Sequence, residues 1–273
     1  MSSRATTRPS RPGGPSRPRA ESAVGADDFL GGRISVLQPR AGHRAGSDAA
    51  FLAAAVPARP GERVLDAGAG VGVAALCLAA RVPGIEATAV EIDAKLCALA
   101  EQNAVRNGFA ESFTVVNADV AWQAGKLSAA GLVREGYHQV IANPPFHAEG
   151  AVRQTPDAAK AAAHVMRAGG LGEWIRFLAT MAAPKGRVTL IHRPDSLGEL
   201  LGHLEGRFGD IAILPLFPKR GEPAVRIILQ GRKGSRAGLK LLQGLVLHEA
   251  DGSYTDAAEV VLRGGEALSL TSR

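Results

Sequence analysis

Residues 63–72 read Arg63-Val64-Leu65-Asp66-Ala67-Gly68-Ala69-Gly70-Val71-Gly72. A short apolar run ends in an acid, and three glycines follow at every second position. Beyond them Val73, Leu76, Cys77 and Ala80 recur at helical spacing until Pro83-Gly84. The pattern predicts a buried strand, a tight loop and an amphipathic helix. Such a loop needs glycine because a Cβ would hold the backbone off a ligand, and the helix N-terminus behind it offers N–H donors. Two details narrow what the loop takes. A dinucleotide loop, Gly-x-Gly-x-x-Gly/Ala, would put a small residue where Val73 stands. The acid Asp66 would repel a pyrophosphate and suits a cationic, amino-acid-like group.

The alternation continues outward. A second strand over 88–91 ends in Glu91, and the next helix presents Leu96, Leu99 and Ala100 before stopping at Asn107-Gly108. A third strand, 113–117, leads to Asp119, and a fourth, 139–142, runs into Asn143-Pro144-Pro145-Phe146. Later helices carry apolar stripes at Leu171, Trp174, Ile175, Leu178 and Ala182, and at Leu197, Leu200, Leu201, Leu204 and Phe208. Strands over 187–191, 211–216 and 224–230 complete the set. Seven strands with intervening helices predict an α/β fold, a mostly parallel sheet covered on both faces. The short link over 218–223 suits a hairpin, so the last strand is expected to be antiparallel. The division predicted is a disordered Arg/Pro-rich tail (1–27), a leader with one short helix from Ser47-Asp48 (28–60), the main domain (61–237) and a C-terminal extension (238–273).

Composition bounds the rest. The chain has 273 residues, 46% hydrophobic and 21% charged, with aromatics at 4%. Its 33 glycines are about 12% of the chain against an average of about 7%, so tight backbone turns should be frequent. Two cysteines make neither a disulfide framework nor a four-cysteine zinc site, which argues for a reducing compartment. No apolar run approaches the roughly 20 residues that span a bilayer. A soluble cytoplasmic protein with no membrane partner is expected. No pair among the seven histidines stands at metal-ligand spacing with an acid, so no catalytic metal is expected. The net charge is +6, and five of those charges are arginines in residues 1–20, which hold no acid. A second basic stretch, 219–240, sets Lys219, Arg220, Arg226, Arg232, Lys233, Arg236 and Lys240 against Glu222 alone. Lys219, Arg220, Arg232 and Lys233 are its candidate phosphate contacts, with a solvated strand edge as the plainer alternative.

Asp66, Glu91 and Asp119 close three successive strands and should line one crevice at the sheet's carboxyl edge. Asp66 can hold an ammonium, Glu91 a ribose diol and Asp119 an adenine amine, while Gly68 and Gly70 admit the ligand's approach. S-adenosylmethionine, which carries all three groups and a sulfonium, fits best. Asn143, Pro144, Pro145 and Phe146 then follow beside the crevice. Two prolines stiffen the turn. The Asn143 side-chain oxygen and the Pro144 carbonyl can both accept from one planar NH₂, and Phe146 can stack on the ring that carries it; Asn143, at the junction, is also a candidate cofactor-binding residue.

In this order, Asp66–Gly72, Glu91, Asp119 and Asn143–Phe146 resemble the class I S-adenosylmethionine-dependent methyltransferases that act on amino groups. The resemblance covers roughly residues 28–230 and implies a Rossmann-like sheet. Within that superfamily, Phe29-Leu30-Gly31-Gly32-Arg33, Gln38-Pro39-Arg40, Arg44-Ala45-Gly46-Ser47-Asp48 and Gly221-Glu222-Pro223-Ala224 are similar to the bacterial tRNA1(Val) adenine-N6 methyltransferase group. The resemblance implies an RNA partner, tRNA first. It also gives Ser47-Asp48 a cofactor-side role, against a plain helix cap. The motif with His147 also resembles ribosomal-RNA guanine-N2 methyltransferases, and a protein glutamine amide would suit the same acceptors. A non-catalytic RNA-binding protein is the rival from another class. Cys77 reads as core, Cys97 as half-buried, Trp122 and Trp174 as packing, His147 as a loop residue and His164 as helix surface.

Overall fold

The fold comes from a computed structural model, whose described residues are 23–42, 44–146 and 170–270. The tail over 1–22, His147 and His164 lie outside them. Seven long strands form the sheet: β3 (Arg63–Ala67), β4 (Glu86–Glu91), β5 (Phe113–Asn117), β6 (Tyr137–Ala142), β7 (Ala182–His192), β8 (Phe208–Phe217) and β9 (Arg226–Lys233). Their order across the sheet is β5-β4-β3-β6-β7-β9-β8. The β3–β4, β4–β5, β3–β6 and β6–β7 pairs are parallel, and β9 runs antiparallel to both its neighbours, as its short connection requires. The order reverses between β3 and β6, which opens a crevice at their carboxyl ends.

Helices cover both faces because consecutive strand residues point to opposite sides. Val64 and Ile141 join the cluster under α1 (Ser47–Ala55) and α2 (Val73–Arg81), with α3 (Ala94–Arg106) beside it. Leu65 and Val140 join the cluster under α4 (Ala124–Ala129), α5 (Gly170–Met181) and α6 (Leu197–Leu204). No described helix is long and apolar enough to cross a membrane.

Several expectations need correction. The leader is more than one helix: β1 (Val24–Phe29) and β2 (Ile34–Pro39) form an antiparallel hairpin. The alternation Ile34, Val36, Gln38 is buried on one side, and β1 starts inside the segment assigned to the tail. Side-chain amides dock the hairpin. Leu37 N–H donates to Asn103 Oδ1 at 2.7 Å, and Ser35 N–H donates to Asn107 Oδ1 at 2.9 Å. Phe208 continues a helical stripe in sequence but opens β8, because Gly206, at φ +73°, turns the chain two residues before it. Ala182 likewise begins β7 rather than ending α5. The short helix α4 has too few apolar positions to announce itself. The C-terminal extension adds β10 (Lys240–Leu241) and β11 (Leu245–Val246), both parallel to β8, and then α7 (Asp256–Leu262). It closes on the leader, with Arg33 Nη2 donating to Gly264 O at 2.8 Å and Leu268 N–H to Ala54 O at 2.8 Å. Cys77 is core, its thiol pushed up to about 12 by burial. Cys97 is buried too, because its sulfur sits against Glu91 O at 3.3 Å.

Candidate active site

The loop from β3 into α2 folds back on the end of β4. Ala69 N–H donates to Val90 O at 3.0 Å, and Gly70 N–H to Glu91 Oε2 at 2.9 Å. Gly68 adopts φ +65°, and a Cβ there would meet the Trp174 ring at 2.4 Å. Trp174 therefore packs, as expected, but it packs against the loop itself. Gly70 also has a positive φ, +58°, and a Cβ on it would meet nothing, so its requirement is conformational. Asn103, fully buried on α3, donates to both Leu37 O and Val71 O at 3.0 Å. One amide thus ties the leader to the loop, a role no sequence motif signalled.

Asp66 is 3% exposed near the end of β3, and its Oδ2 has no hydrogen-bond partner among the described residues. Burial, with the nearby Glu91 charge as a smaller contribution, pushes its carboxyl up to about 7 against the pull of the Ala75 N–H. A carboxylate so placed gains from a cation brought within reach. Glu91 is also buried. Its Oε2 takes the Gly70 N–H and its Oε1 the Asp93 N–H at 2.9 Å. Each oxygen keeps a further lone pair for a hydroxyl donor. Asp119, two residues beyond β5, is half-buried, and its Oδ1 takes the Ala121 N–H at 2.8 Å.

Asn143 follows β6 directly. Because Ala67 pairs with Ala142, Asn143 stands beside the start of the glycine loop. Its Oδ1 is buried and without a hydrogen-bond partner among the described residues, like Asp66 Oδ2 one strand away. Pro144 is buried and Pro145 half-buried. Phe146 meets the His192 ring edge-on at 5.0 Å, and the Arg226 guanidinium lies 4.6 Å from its ring centre. Asp48 is neither cap nor loose end: the α1 N-cap is Gly46, without a side-chain bond, and Asp48 Oδ2 accepts from Arg226 Nε at 2.7 Å. His192 and Arg226 were missed as site residues. The apolar pattern gave β7 and β9, and only the pairing Ile227↔His192 brings their ends together.

The basic stretch does not stay together. Lys219 and Arg220 sit in the β8–β9 turn at the carboxyl edge, Arg220 exposed and Lys219 donating to Ala250 O at 3.0 Å. Arg232 and Lys233 lie at the other end of β9, opposite Arg187 and Phe208, at the amino edge. Lys233 is bound there to Glu135 at 2.8 Å and Ala182 O at 2.7 Å. These two are therefore not brought to the crevice.

The crevice so assembled joins a buried carboxyl, a glycine bend, a second buried carboxyl holding two backbone N–H groups, and a stiff turn with a buried amide oxygen. Comparison with known proteins agrees. Residues 43–175 match the methyltransferase small domain. The chain belongs to that family of S-adenosylmethionine-dependent methyltransferases. It is 29% identical over 230 residues to the tRNA1(Val) (adenine(37)-N6)-methyltransferase of Aeromonas hydrophila, covering 82% of this chain and 90% of the relative. A Klebsiella pneumoniae protein of the same name is 35% identical over 130 residues, 47% of this chain and 50% of the other. A crystal structure from Agrobacterium tumefaciens, described as a predicted O-methyltransferase, is 30% identical, with TM-score 0.70 over 81% of this chain and 98% of that one. The family makes S-adenosylmethionine the cofactor, and the residues fit it, since a buried carboxyl oxygen with no hydrogen-bond partner among the described residues suits a cationic ligand. The rival of a non-catalytic RNA-binding protein falls with the family.

Proposed function

We propose that this methyltransferase acts on an exocyclic amine of RNA, first of all N6 of an adenine in a tRNA, and works in the cytoplasm. The observation that carries the reading is the pair of idle buried oxygens, Asp66 Oδ2 and Asn143 Oδ1, at the β3/β6 switch point. One suits the cation of a methyl donor, and the other suits an N–H of the acceptor. Similarity to the named tRNA methyltransferases supports the choice of substrate.

In this reading Asp66 holds the cofactor's ammonium, Glu91 its ribose hydroxyls and Asp119 its adenine amine. Gly68 and Gly70 let the backbone approach. The bound cofactor supplies an electrophilic methyl group on a sulfonium. Asn143 Oδ1 and the Pro144 carbonyl each accept one N–H of the substrate's NH₂, turning its lone pair out of conjugation and toward that methyl. Positive charge grows on the nitrogen as the N–C bond forms, so two fixed acceptors favour the transition state over the ground state. The new ammonium-like nitrogen then loses a proton to solvent, and no strong base is needed. Pro145 keeps the turn rigid, and Phe146 stacks on the base. Lys219 and Arg220 contact phosphate.

The structure described as an O-methyltransferase prompts a second reading, a hydroxyl acceptor. A hydroxyl has one proton for two acceptors, so the Asn143–Pro144 arrangement favours NH₂. Guanine N2 and a glutamine amide share that group and are separated by experiment. Incubation with labelled cofactor and tRNA lacking its modifications, followed by nucleoside digestion, should yield N6-methyladenosine. Label in a guanosine, in a 2′-hydroxyl or in protein would overturn the choice of substrate.

A further inference from the structure

Four side chains from four distant parts of the chain meet at the crevice mouth. Asp48 is fixed because α1 is buried from Ala49 through Ala55. Arg226 is fixed because it opens β9, with its backbone opposite Leu216 and its Nη1 donating to Val225 O at 2.9 Å. Between them runs the 2.7 Å Nε–Oδ2 bond, with both side chains partly buried. The Arg226 guanidinium carbon then lies over the Phe146 ring, 4.6 Å from its centre, while the His192 ring at the end of β7 stands against it at an interplanar angle of 80°. A planar, delocalised cation suits such a contact better than an ammonium does.

We infer that Asp48 and Arg226 are positioning residues for the methyl acceptor: Asp48 orients the guanidinium, and the guanidinium sets the plane of the Phe146 ring. The inference rests on the reading of Phe146 as the stacking platform. With one face taken, the incoming base is confined to the other. That fixes the height and tilt at which its amine meets Asn143 Oδ1. Arg226 is then no phosphate ligand, although it lies in the basic stretch. The leader acquires a task in presenting the acceptor, through Asp48, alongside its tie to the glycine loop.

The test combines kinetics with a local probe. Arg226→Ala and Asp48→Ala should lower kcat about tenfold or more, since small misplacements of reacting groups are costly. Cofactor affinity by calorimetry should not change. Arg226→Lys should recover part of kcat, because a cation remains near the ring. The exchanged pair, Asp48→Arg with Arg226→Asp, should recover thermal stability but not kcat, because the cation no longer starts from position 226. Independently of any substrate, the emission of a Phe146→Trp probe should shift when Arg226→Ala is added. Undiminished kcat in Arg226→Ala, full recovery in the exchanged pair, or unshifted probe emission would each overturn the inference. Failure of the wild-type protein to methylate any RNA amine would instead sink the functional reading, and the probe would still judge the ring contact.

Discussion

The two edges of the sheet carry opposite chemistry although β9 joins them. At the amino edge a wide groove of about 890 Å³ opens among Leu201, Gly206, Phe208, Ser235 and Arg236. Two basic residues near it are paired: Lys233 is held by Glu135 and Ala182 O, and Lys240 lies 3.4 Å from Asp210. At the carboxyl edge, Asp66 and Asn143 each keep a buried oxygen without a hydrogen-bond partner among the described residues. Burying a polar atom without a partner is costly, and a fold bears that cost where a ligand will relieve it. Gln139 Oε1, Arg81 Nε and Glu173 Oε2 are also buried without a partner among the described residues, so what marks the site is two such oxygens on adjacent strand ends beside the glycine bend, and not volume. Arg226 and Lys233 are seven residues apart, about 23 Å along an extended strand. One serves each edge.

The sharpest way to break this contrast is Asn143→Ala. If Asn143 Oδ1 stabilises the charge growing on the amine, turnover should fall about 10²–10³-fold, as when one preorganised partner of a transition state is removed. Cofactor affinity should stay within about twofold, because Asp66 and Glu91 are untouched. Single-turnover rates beside calorimetry check both parts, and full turnover in the variant would refute the two-acceptor mechanism.

Asp66→Asn tests the other idle oxygen. Losing a charge-assisted bond to an ammonium should weaken cofactor binding by about 1.5–3 kcal/mol, or roughly 10- to 150-fold. The unliganded fold responds in the opposite sense. Asp66 titrates near 7 when folded, above its ordinary 3.8, so between about pH 4 and 7 the folded protein holds a proton that the unfolded chain has released. This group's contribution to stability is full below about pH 4 and declines as pH rises through 7. Above pH 7 the Asn variant should unfold at a higher temperature than the unliganded wild type. Wild-type cofactor affinity should rise with pH through 7 as the carboxylate ionises, and the variant should lose that rise. Titration calorimetry and thermal unfolding from pH 5 to 8 would show both.

These residues were legible in sequence for a physical reason. Asp66, Glu91 and Asn143 stand where strands end, and strand ends are announced by apolar runs meeting glycine, acid or proline. Topology then collects those ends at one edge whatever the details. The antiparallel β9 was legible from the brevity of its link. What was not legible depends on pairings between distant segments. Asn103 is one polar residue inside a helix until Leu37 and Val71 are brought to it. His192 ends an apolar strand like any other residue. The leader hairpin was hidden because its alternation is short and half polar. The basic stretch misled because charge counted along a strand ignores that its two ends emerge on opposite sides of the molecule.

That last point yields a smaller effect. If RNA enters over the carboxyl edge, its affinity should weaken with added salt, and each lost phosphate contact should lower the slope of log K on log salt by about one unit. Arg220→Glu, in the exposed β8–β9 turn, should flatten the slope. Arg232→Glu, at the far end of β9, should leave it unchanged. Filter binding of tRNA from 50 to 300 mM salt distinguishes them, and an equal flattening by both would mean that RNA reaches around the sheet.

The smallest expected effect completes the comparison. Lys233 is 19% exposed, with its stem against the sheet and its ammonium shared between Ala182 O and Glu135. It holds Glu135 below the usual carboxylate range, but Glu135 stands in open solvent, where water and salt screen such pairs. What Lys233→Ala removes is chiefly the packed stem and the bond to Ala182 O. The thermal midpoint should fall by about 1–3 °C, with turnover, cofactor affinity and RNA salt slope all unchanged. A basic residue that costs stability and nothing else belongs to the structural edge of the sheet. One whose loss moved the salt slope would bring the proposed RNA contact to the amino edge and erase the contrast between the two ends of β9.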